Sequence, residues 1–447
     1  MNRRIISILF VLLCVSVLHL NAAEKPNIIF ILADDLGYGD LGCYGQQRIL
    51  TPNIDKLAKE GTRFTQCYAG STVCAPSRCA LMTGKHSGHG FIRGNAKVFL
   101  RTEDFCVSEL LKQNGYTTGM FGKWGLGDPG TTGVPAKHGW DEFFGYLNHT
   151  HAHNYYPDHL FRQEEQVPLP GNADGKKGSY THDLVAEEAL KFLAAHKDHP
   201  FFLYLPFTIP HGNNEQIKNG DGMQVPSDEP YTKETWPQNE KNFAAMITRM
   251  DKDVGRVMAK LKEYGIDEKT LVFFASDNGP HKEGHDPEFF GSRGGLRGIK
   301  RDLYEGGIRI PMIARWPGRI KADTKSDVVW AFWDFMPTIA DLIGVEAPKE
   351  IDGLSIKEAL LGGTPPKTHE YLYWEFHENG FKQALRFGDW KAVKVSPDAP
   401  IEIFDLSKDV NEKTDVAKDQ PEIVEKAKGY FKQARTESAE FPIKAKK

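Results

Sequence analysis

The sequence predicts an α/β fold: a large central, mostly parallel sheet sandwiched by helices, then a smaller C-terminal domain of antiparallel sheet plus helix. Three observations carry this. Unbroken apolar runs of strand length end in polar residues, amphipathic stretches stand between them, and from about residue 344 the runs become short and alternating. A chain of 447 residues has room for a large domain and a smaller one, and the expected division is 1–23, 24–343 and 344–447.

In chain order, residues 1–23 read as a signal peptide. Arg3 and Arg4 precede an apolar run at 5–20, and Asn21-Ala22-Ala23 offers a small-residue cleavage site. The expected product is secreted or periplasmic, with no stable membrane association. Asn27-Ile28-Ile29-Phe30-Ile31-Leu32-Ala33 has no alternation, which suits a strand buried on both faces, and it ends in Asp34-Asp35. The pattern recurs: 117–121 leads to Lys123, 201–207 to His211, and 271–275 to Asp277-Asn278. Open α/β sheets bind ligands just past the carboxyl ends of their strands. Apolar spacing of three and four marks helices at 54–59, 184–195 and 243–264, with glycine stops at Gly61 and Gly265. In the C-terminal part, 371–376, 383–387 and 390–395 read as short strands and 423–434 as an amphipathic helix.

Charge narrows the partners. With 56 basic and 60 acidic residues the formal balance is -4, so no nucleic-acid partner is indicated and positive potential must be local to a site. Beyond the signal peptide stand Cys43, Cys67, Cys74, Cys79 and Cys106, an odd number that leaves at least one unpaired or modified.

Asp34, Asp35, Asp277 and Asn278 are hard oxygen donors, so a metal among them is expected to be Ca²⁺, with Mg²⁺ as the other hard candidate. Adjacent carboxylates need a cation, or one must hold a proton. Cys74 stands at a helix start with Arg78 one turn on, where unpaired backbone N–H groups and a guanidinium suit an anion. A thiolate is too soft for such a cation, which hints that Cys74 does not act as a thiol.

Cys74-Ala75-Pro76-Ser77-Arg78, followed by Leu81-Met82-Thr83-Gly84, resembles the signature of the type I sulfatases, of the alkaline phosphatase-like superfamily. The likeness runs from about Lys25 to the end of the chain. It implies that a formylglycine-generating maturation enzyme oxidises Cys74 to formylglycine, whose hydrated form joins Asp34, Asp35, Asp277 and Asn278 on the metal. Lys123, His211 and Lys300 match family positions that grip sulfate and assist the leaving group, so Cys74, Arg78, Lys123, His211 and Lys300 form the expected catalytic set. The implied reaction is hydrolysis of a sulfate ester through a covalent sulfate intermediate. The implied substrate is a sulfated saccharide, a galactose or N-acetylhexosamine sulfate, on family analogy and export alone. Glu305-Gly306-Gly307-Ile308-Arg309-Ile310-Pro311 also resembles a family block and is read as scaffold.

One departure stands out. The family usually reads Gly-Lys-x-His-Leu-Gly, whereas this chain has Gly122-Lys123-Trp124-Gly125-Leu126-Gly127. The absent His is the usual base for sulfate elimination. The stretch Asn148-His149-Thr150-His151-Ala152-His153 follows in the same loop region, so either His149 or His151 substitutes, or the cluster is a wall of the site. Arg93, His149, His151, His153, His281, His285 and Asp286 are the candidate substrate contacts. Two other readings remain: a phosphodiesterase or phosphonate hydrolase of the same superfamily, and a catalytically silent sulfoglycan-binding protein.

Overall fold

The computed structural model describes residues 25–443, and the expected signal peptide lies outside them. Asn27–Ala33 is strand β1, buried along its whole length. Ile28, Phe30 and Leu32 enter one apolar cluster while Ile29, Ile31 and Ala33 enter another, which is why the run has no polar alternation. Along the chain follow β2 (Thr62–Tyr68), β3 (Thr117–Lys123), β4 (Glu142–Tyr146), β5 (His159–Arg162) and β6 (Glu165–Pro168). Then come β7 (Phe201–Pro206), β8 (Thr270–Ser276), β9 (Arg309–Arg315), β10 (Thr324–Ser326) and β11 (Trp330–Ala331). They form an eleven-stranded sheet in the order β10-β2-β9-β8-β1-β7-β3-β4-β5-β6, with β11 beside β2.

The centre, β8-β1-β7-β3-β4, is parallel throughout. The flanks are not: β9 runs antiparallel to both β8 and β2, and β5 and β6 add antiparallel pairs beyond β4. Helices cover both faces. Residues of α2 (Cys74–Thr83), α3 (Val107–Gln113) and α7 (Phe335–Leu342) join the first cluster. The second takes α1 (Pro52–Lys59), α4 (Thr181–His196) and α5 (Gln238–Glu263). The helix read at 243–264 thus begins earlier, because Pro237 occupies its N-cap and the first turn is polar, with no apolar spacing to reveal it.

Single turns α6 (Glu305–Ile308) and α8 (Lys357–Leu360) flank α7 in sequence, and a second sheet follows. Its strands are β12 (Leu372–Phe376), β13 (Lys382–Phe387), β14 (Trp390–Lys394) and β15 (Glu402–Asp405), all antiparallel. The fourth strand has only Ile403 and Phe404 as apolar content and left no readable pattern. One face of this sheet, with Leu372, Trp374 and Val393, packs on Tyr68, Val73 and Trp333 of the large unit. The other, with Tyr373, Leu385 and Ile403, is covered by α9 (Pro421–Gln433) through Ala427 and Tyr430.

A buried ion pair pins the two units together. Lys391 Nζ on β14 lies 2.8 Å from Glu305 Oε1, both side chains fully buried. Burial opposes the Glu305 charge, but Lys391, Arg309 and Arg386 hold its pKa down at about 2. Lys391→Met should therefore cost about 3 kcal/mol at neutral pH, because it strands a buried carboxylate. A depressed carboxylate stabilises above its unfolded pKa and loses that contribution as pH falls through the folded one. Equilibrium unfolding should show the Lys391→Met penalty shrinking as pH drops from about 4.5 toward 2, and a pH-independent penalty would refute this.

Candidate functional site

Four adjacent strand ends build the site. β1 delivers Asp34 and Asp35, β8 delivers Asp277 and Asn278, β3 ends in Lys123, and the chain after β7 reaches His211. Asp35 sits at φ 63, a left-handed turn that folds the second carboxylate back over the sheet edge. Helix α2 points its N-terminus, with Cys74, at the same place. Its seating is fixed by Ser77, whose hydroxyl donates to the Asp277 carbonyl and accepts from Gly70 N–H. Lys300 arrives from the loop before α6, where its backbone N–H donates to Pro280 O at 2.9 Å.

Three buried carboxylates face three buried cations. Lys123 Nζ is 2.6 Å from Asp34 Oδ2, and Lys300 Nζ is 2.6 Å from Asp35 Oδ2. Arg78 donates from Nη2 and Nε to Asp277 Oδ2 at 2.7 and 3.1 Å, and from Nη1 to Lys123 O at 2.8 Å. Its Nη2 is also 3.4 Å from Asp34 Oδ2. Arg78 therefore braces the carboxylates, which corrects the expectation that it clamps a substrate oxyanion: its fork is already spent. Burial pushes the Asp34 carboxyl up, but Lys123, Arg78 and Lys300 bring it down to about 2. Asp277 goes the other way, to about 7, because burial and the charges of Asp34 and Asp35 outweigh Arg78 and Lys123.

His211 is a neutral imidazole of defined tautomer. Nδ1 contacts Gly212 O at 2.6 Å, and a carbonyl only accepts, so Nδ1 carries the proton. Nε2 is then a bare lone pair, 3.0 Å from Lys300 Nζ. Burial and the charges of Lys300 and Lys123 keep its pKa well below the usual value.

The donor set fits a hard divalent cation. Asp34 Oδ1 and Asn278 Oδ1 are buried and make no hydrogen bond among the described residues. Ligand atoms of Asp34, Asp35 and His211 lie within 4.8 Å of one another, and oxygen dominates the set.

The remaining candidates divide. His149 lines a cavity of about 390 Å³ together with Asn95, Gly125 and Asn148. His153 stacks on His211 with ring centroids 4.7 Å apart and pairs with Glu215 at 3.1 Å, forming a wall. His281 lies behind His211, stacked at 5.6 Å, with Nε2 on Pro210 O. Four expectations need correction. Arg93 is buried against Glu375, Gly90 O and Thr436, joining the two units rather than facing a ligand. His151 turns to Tyr146, His159 and Phe161, because its short helical turn points it at β5. His285 is packed flat on Phe243 at 3.8 Å. Asp286 is exposed and caps a turn through Glu288 N–H.

Asn95 was missed. Its Oδ1 accepts from Ala75 N–H at 3.1 Å and lies 3.6 Å from Cys74 Sγ, so it touches the residue on which the motif centres. The only signal was a polar residue after glycine in the loop beyond α2. Also missed was Arg301, next to Lys300, which is gripped by Glu283 and by Glu378 of the small unit.

The sulfatase family model matches residues 26–345, and the model of the N-sulphoglucosamine sulphohydrolase C-terminal region matches 298–437. An arylsulfatase of Hemicentrotus pulcherrimus is 33% identical over 405 residues, covering 84% of this chain and 68% of that protein. The N-acetylgalactosamine-6-O-sulfatase of Bacteroides thetaiotaomicron is 27% identical over 500 residues, covering 93% and 94%. Among solved structures, Ps i-CgsB in complex with k-i-k-neocarrahexaose superposes with a TM-score of 0.80 at 31% identity, covering 93% of this chain and 94% of that one.

A hard divalent cation held by this donor set, at about a hundred times its dissociation constant, should add about 2.7 kcal/mol of stability to chelator-treated protein. Asp34→Asn should abolish that gain in thermal melts. An equal gain in the variant would place the ion elsewhere.

Proposed function

The chain belongs to the sulfatase family, and from that premise we propose that it is an exported enzyme that removes sulfate from a galactose or N-acetylhexosamine sulfate in a glycan. The observation that carries the reading is the balanced cluster of three carboxylates and three cations around the N-terminus of α2, in a chain with the Cys74 to Gly84 signature. Support for a sulfated sugar comes from the N-acetylgalactosamine-6-O-sulfatase relative, and support for a saccharide from the k-i-k-neocarrahexaose named in the Ps i-CgsB complex. Export is proposed from the basic and apolar residues at 1–23.

Asp34, Asp35, Asp277 and Asn278 would hold Ca²⁺, and a maturation enzyme would convert Cys74 to formylglycine. Together these groups would supply a metal-activated oxygen nucleophile for attack on sulfur. The chain's own residues do the rest. Lys123 and Lys300 place fixed positive charge where the sulfuryl oxygens gather negative charge. Lys300 Nζ, hydrogen-bonded to the bare Nε2 of His211, holds the proton that the departing sugar oxygen takes up. Arg78 keeps Asp34 and Asp277 aimed inward, and the stacked His153 shields one side of His211 from water.

Lys123→Ala and Lys300→Ala should each lower kcat by about 10²- to 10⁴-fold on a sulfated sugar, with folding intact by circular dichroism. Protein coexpressed with a maturation enzyme should show the Cys74 peptide converted to the aldehyde by mass spectrometry. Unconverted cysteine with full activity, or a strong preference for aryl phosphodiester over the matched aryl sulfate, would overturn the reading.

A further inference from the structure

We infer that His149 accepts the proton in sulfate release, reaching in from the neighbouring strand end to do what residue 125, a glycine, has no side chain to do. The inference rests on the sulfatase reading above and concerns one step of it.

Sheet register puts the two positions side by side. β3 and β4 are parallel with Lys123 opposite Tyr146, and the pairing continues past both strands, Trp124 N–H donating to Tyr146 O and Gly125 N–H to Leu147 O, each at 2.9 Å. Continued past the strands, that register sets Asn148 opposite residue 125 with His149 next to it, and all three line one cavity. At 125 the chain is left-handed, φ 79, and an added Cβ would meet nothing nearer than Arg78 Cδ at 4.0 Å. The space beside α2 is open from that side. The cavity there is lined by Gly125, His149 and Asn95, and Asn95 contacts Cys74 Sγ.

His149 is also chemically free for the task. Its ring makes no hydrogen bond among the described residues, whereas His153 is tied to Glu215 and His151 faces Phe161. Burial and the nearby charge of Lys123 keep the imidazole neutral, with a pKa of about 4, so a lone pair is available.

The step balances as follows. After sulfuryl transfer to one of two geminal hydroxyls on the residue-74 carbon, His149 takes the proton of the other. That O–H electron pair becomes the carbonyl, the carbon–oxygen bond to sulfate breaks, and inorganic sulfate leaves with the bonding pair. His149 then passes its proton to water, and no further reactant is required.

The test compares matured wild type, His149→Ala, His149→Gln, His151→Ala and the double variant His149→Ala/Gly125→His, with para-nitrophenyl sulfate as the probe. His149→Ala and His149→Gln should retain a burst of nitrophenol of one enzyme equivalent, then slow by about 10²-fold or more, with sulfate accumulating on the residue-74 peptide by mass spectrometry. Gly125→His should restore turnover in the double variant, since His tolerates the left-handed region better than most residues. His151→Ala should behave as wild type. On unmatured protein carrying Cys74, calorimetric binding of inorganic sulfate should be unchanged within about twofold by His149→Ala, as expected of a proton acceptor that adds little to ground-state binding. Unslowed turnover in both His149 variants, or tenfold weaker sulfate binding with no trapped sulfate, would overturn the assignment and make His149 a wall. A matured wild type that releases no nitrophenol and desulfates no sugar would instead overturn the sulfatase reading itself.

Discussion

Three carboxylates buried within reach of one another cannot all keep their charge unaided, and the architecture of this protein answers that constraint. Each is paired on one oxygen with a buried cation: Asp34 with Lys123, Asp35 with Lys300, Asp277 with Arg78. The pairing leaves oxygens such as Asp34 Oδ1 without a partner, so the cluster is charge-balanced and still unsatisfied in its hydrogen bonding. A hard divalent cation would give the unpartnered oxygens their missing partner, and the positive charge it adds would favour an anionic sulfate ester beside it. The opposite displacements of the Asp34 and Asp277 pKa values reflect the same crowding, with the carboxylate nearest two cations staying ionised and the one facing two anions yielding.

The sheet supplies the rigidity this demands. Because β8, β1, β7 and β3 are neighbours and run parallel, their carboxyl ends present acid, cation and imidazole along one edge without long loops. Helix α2 meets that edge end-on and is pinned by Ser77 to the carbonyl of Asp277, which ties the helix that begins at Cys74 to the strand end that carries Asp277 and Asn278. The small C-terminal unit takes part as well. It packs Trp374 against the large unit, donating from the indole to Ala69 O, and brings Glu378 to Arg301 beside Lys300.

Parallel pairing also lets a family position change its residue. Side chains at the ends of adjacent parallel strands occupy neighbouring volumes, so a function lost at residue 125 of the β3 end can be supplied from the β4 end. The glycine leaves the room, and the histidine-rich stretch after β4 provides a ring to enter it.

Much of this was legible in the chain because burial on both faces leaves a mark. The run 27–33 is apolar without alternation, so β1 and the Asp34-Asp35 pair at its end could be placed from residue types alone, and the same holds for Lys123, His211 and the 277–278 pair. The signature at Cys74 likewise announced an anion site. β15 left no pattern because it is a short edge strand with only Ile403 and Phe404 as apolar content, and the run of β9 is interrupted by Pro311 and bounded by Arg309 and Arg315. Side-chain direction was beyond the sequence too. Arg93, His151, His285 and Asp286 lie near the right motifs, yet packing turns them to Glu375, Phe161, Phe243 and a solvent-exposed turn. Residue type and strand period determined by themselves at which strand ends the acids, cations and imidazole stand, while the chemistry expected of them came from the resemblance at Cys74 to Gly84. Only the tertiary structure decided which histidine shares a cavity with residue 125 and which arginine braces the acids, because such contacts are set by register between strands far apart in the chain.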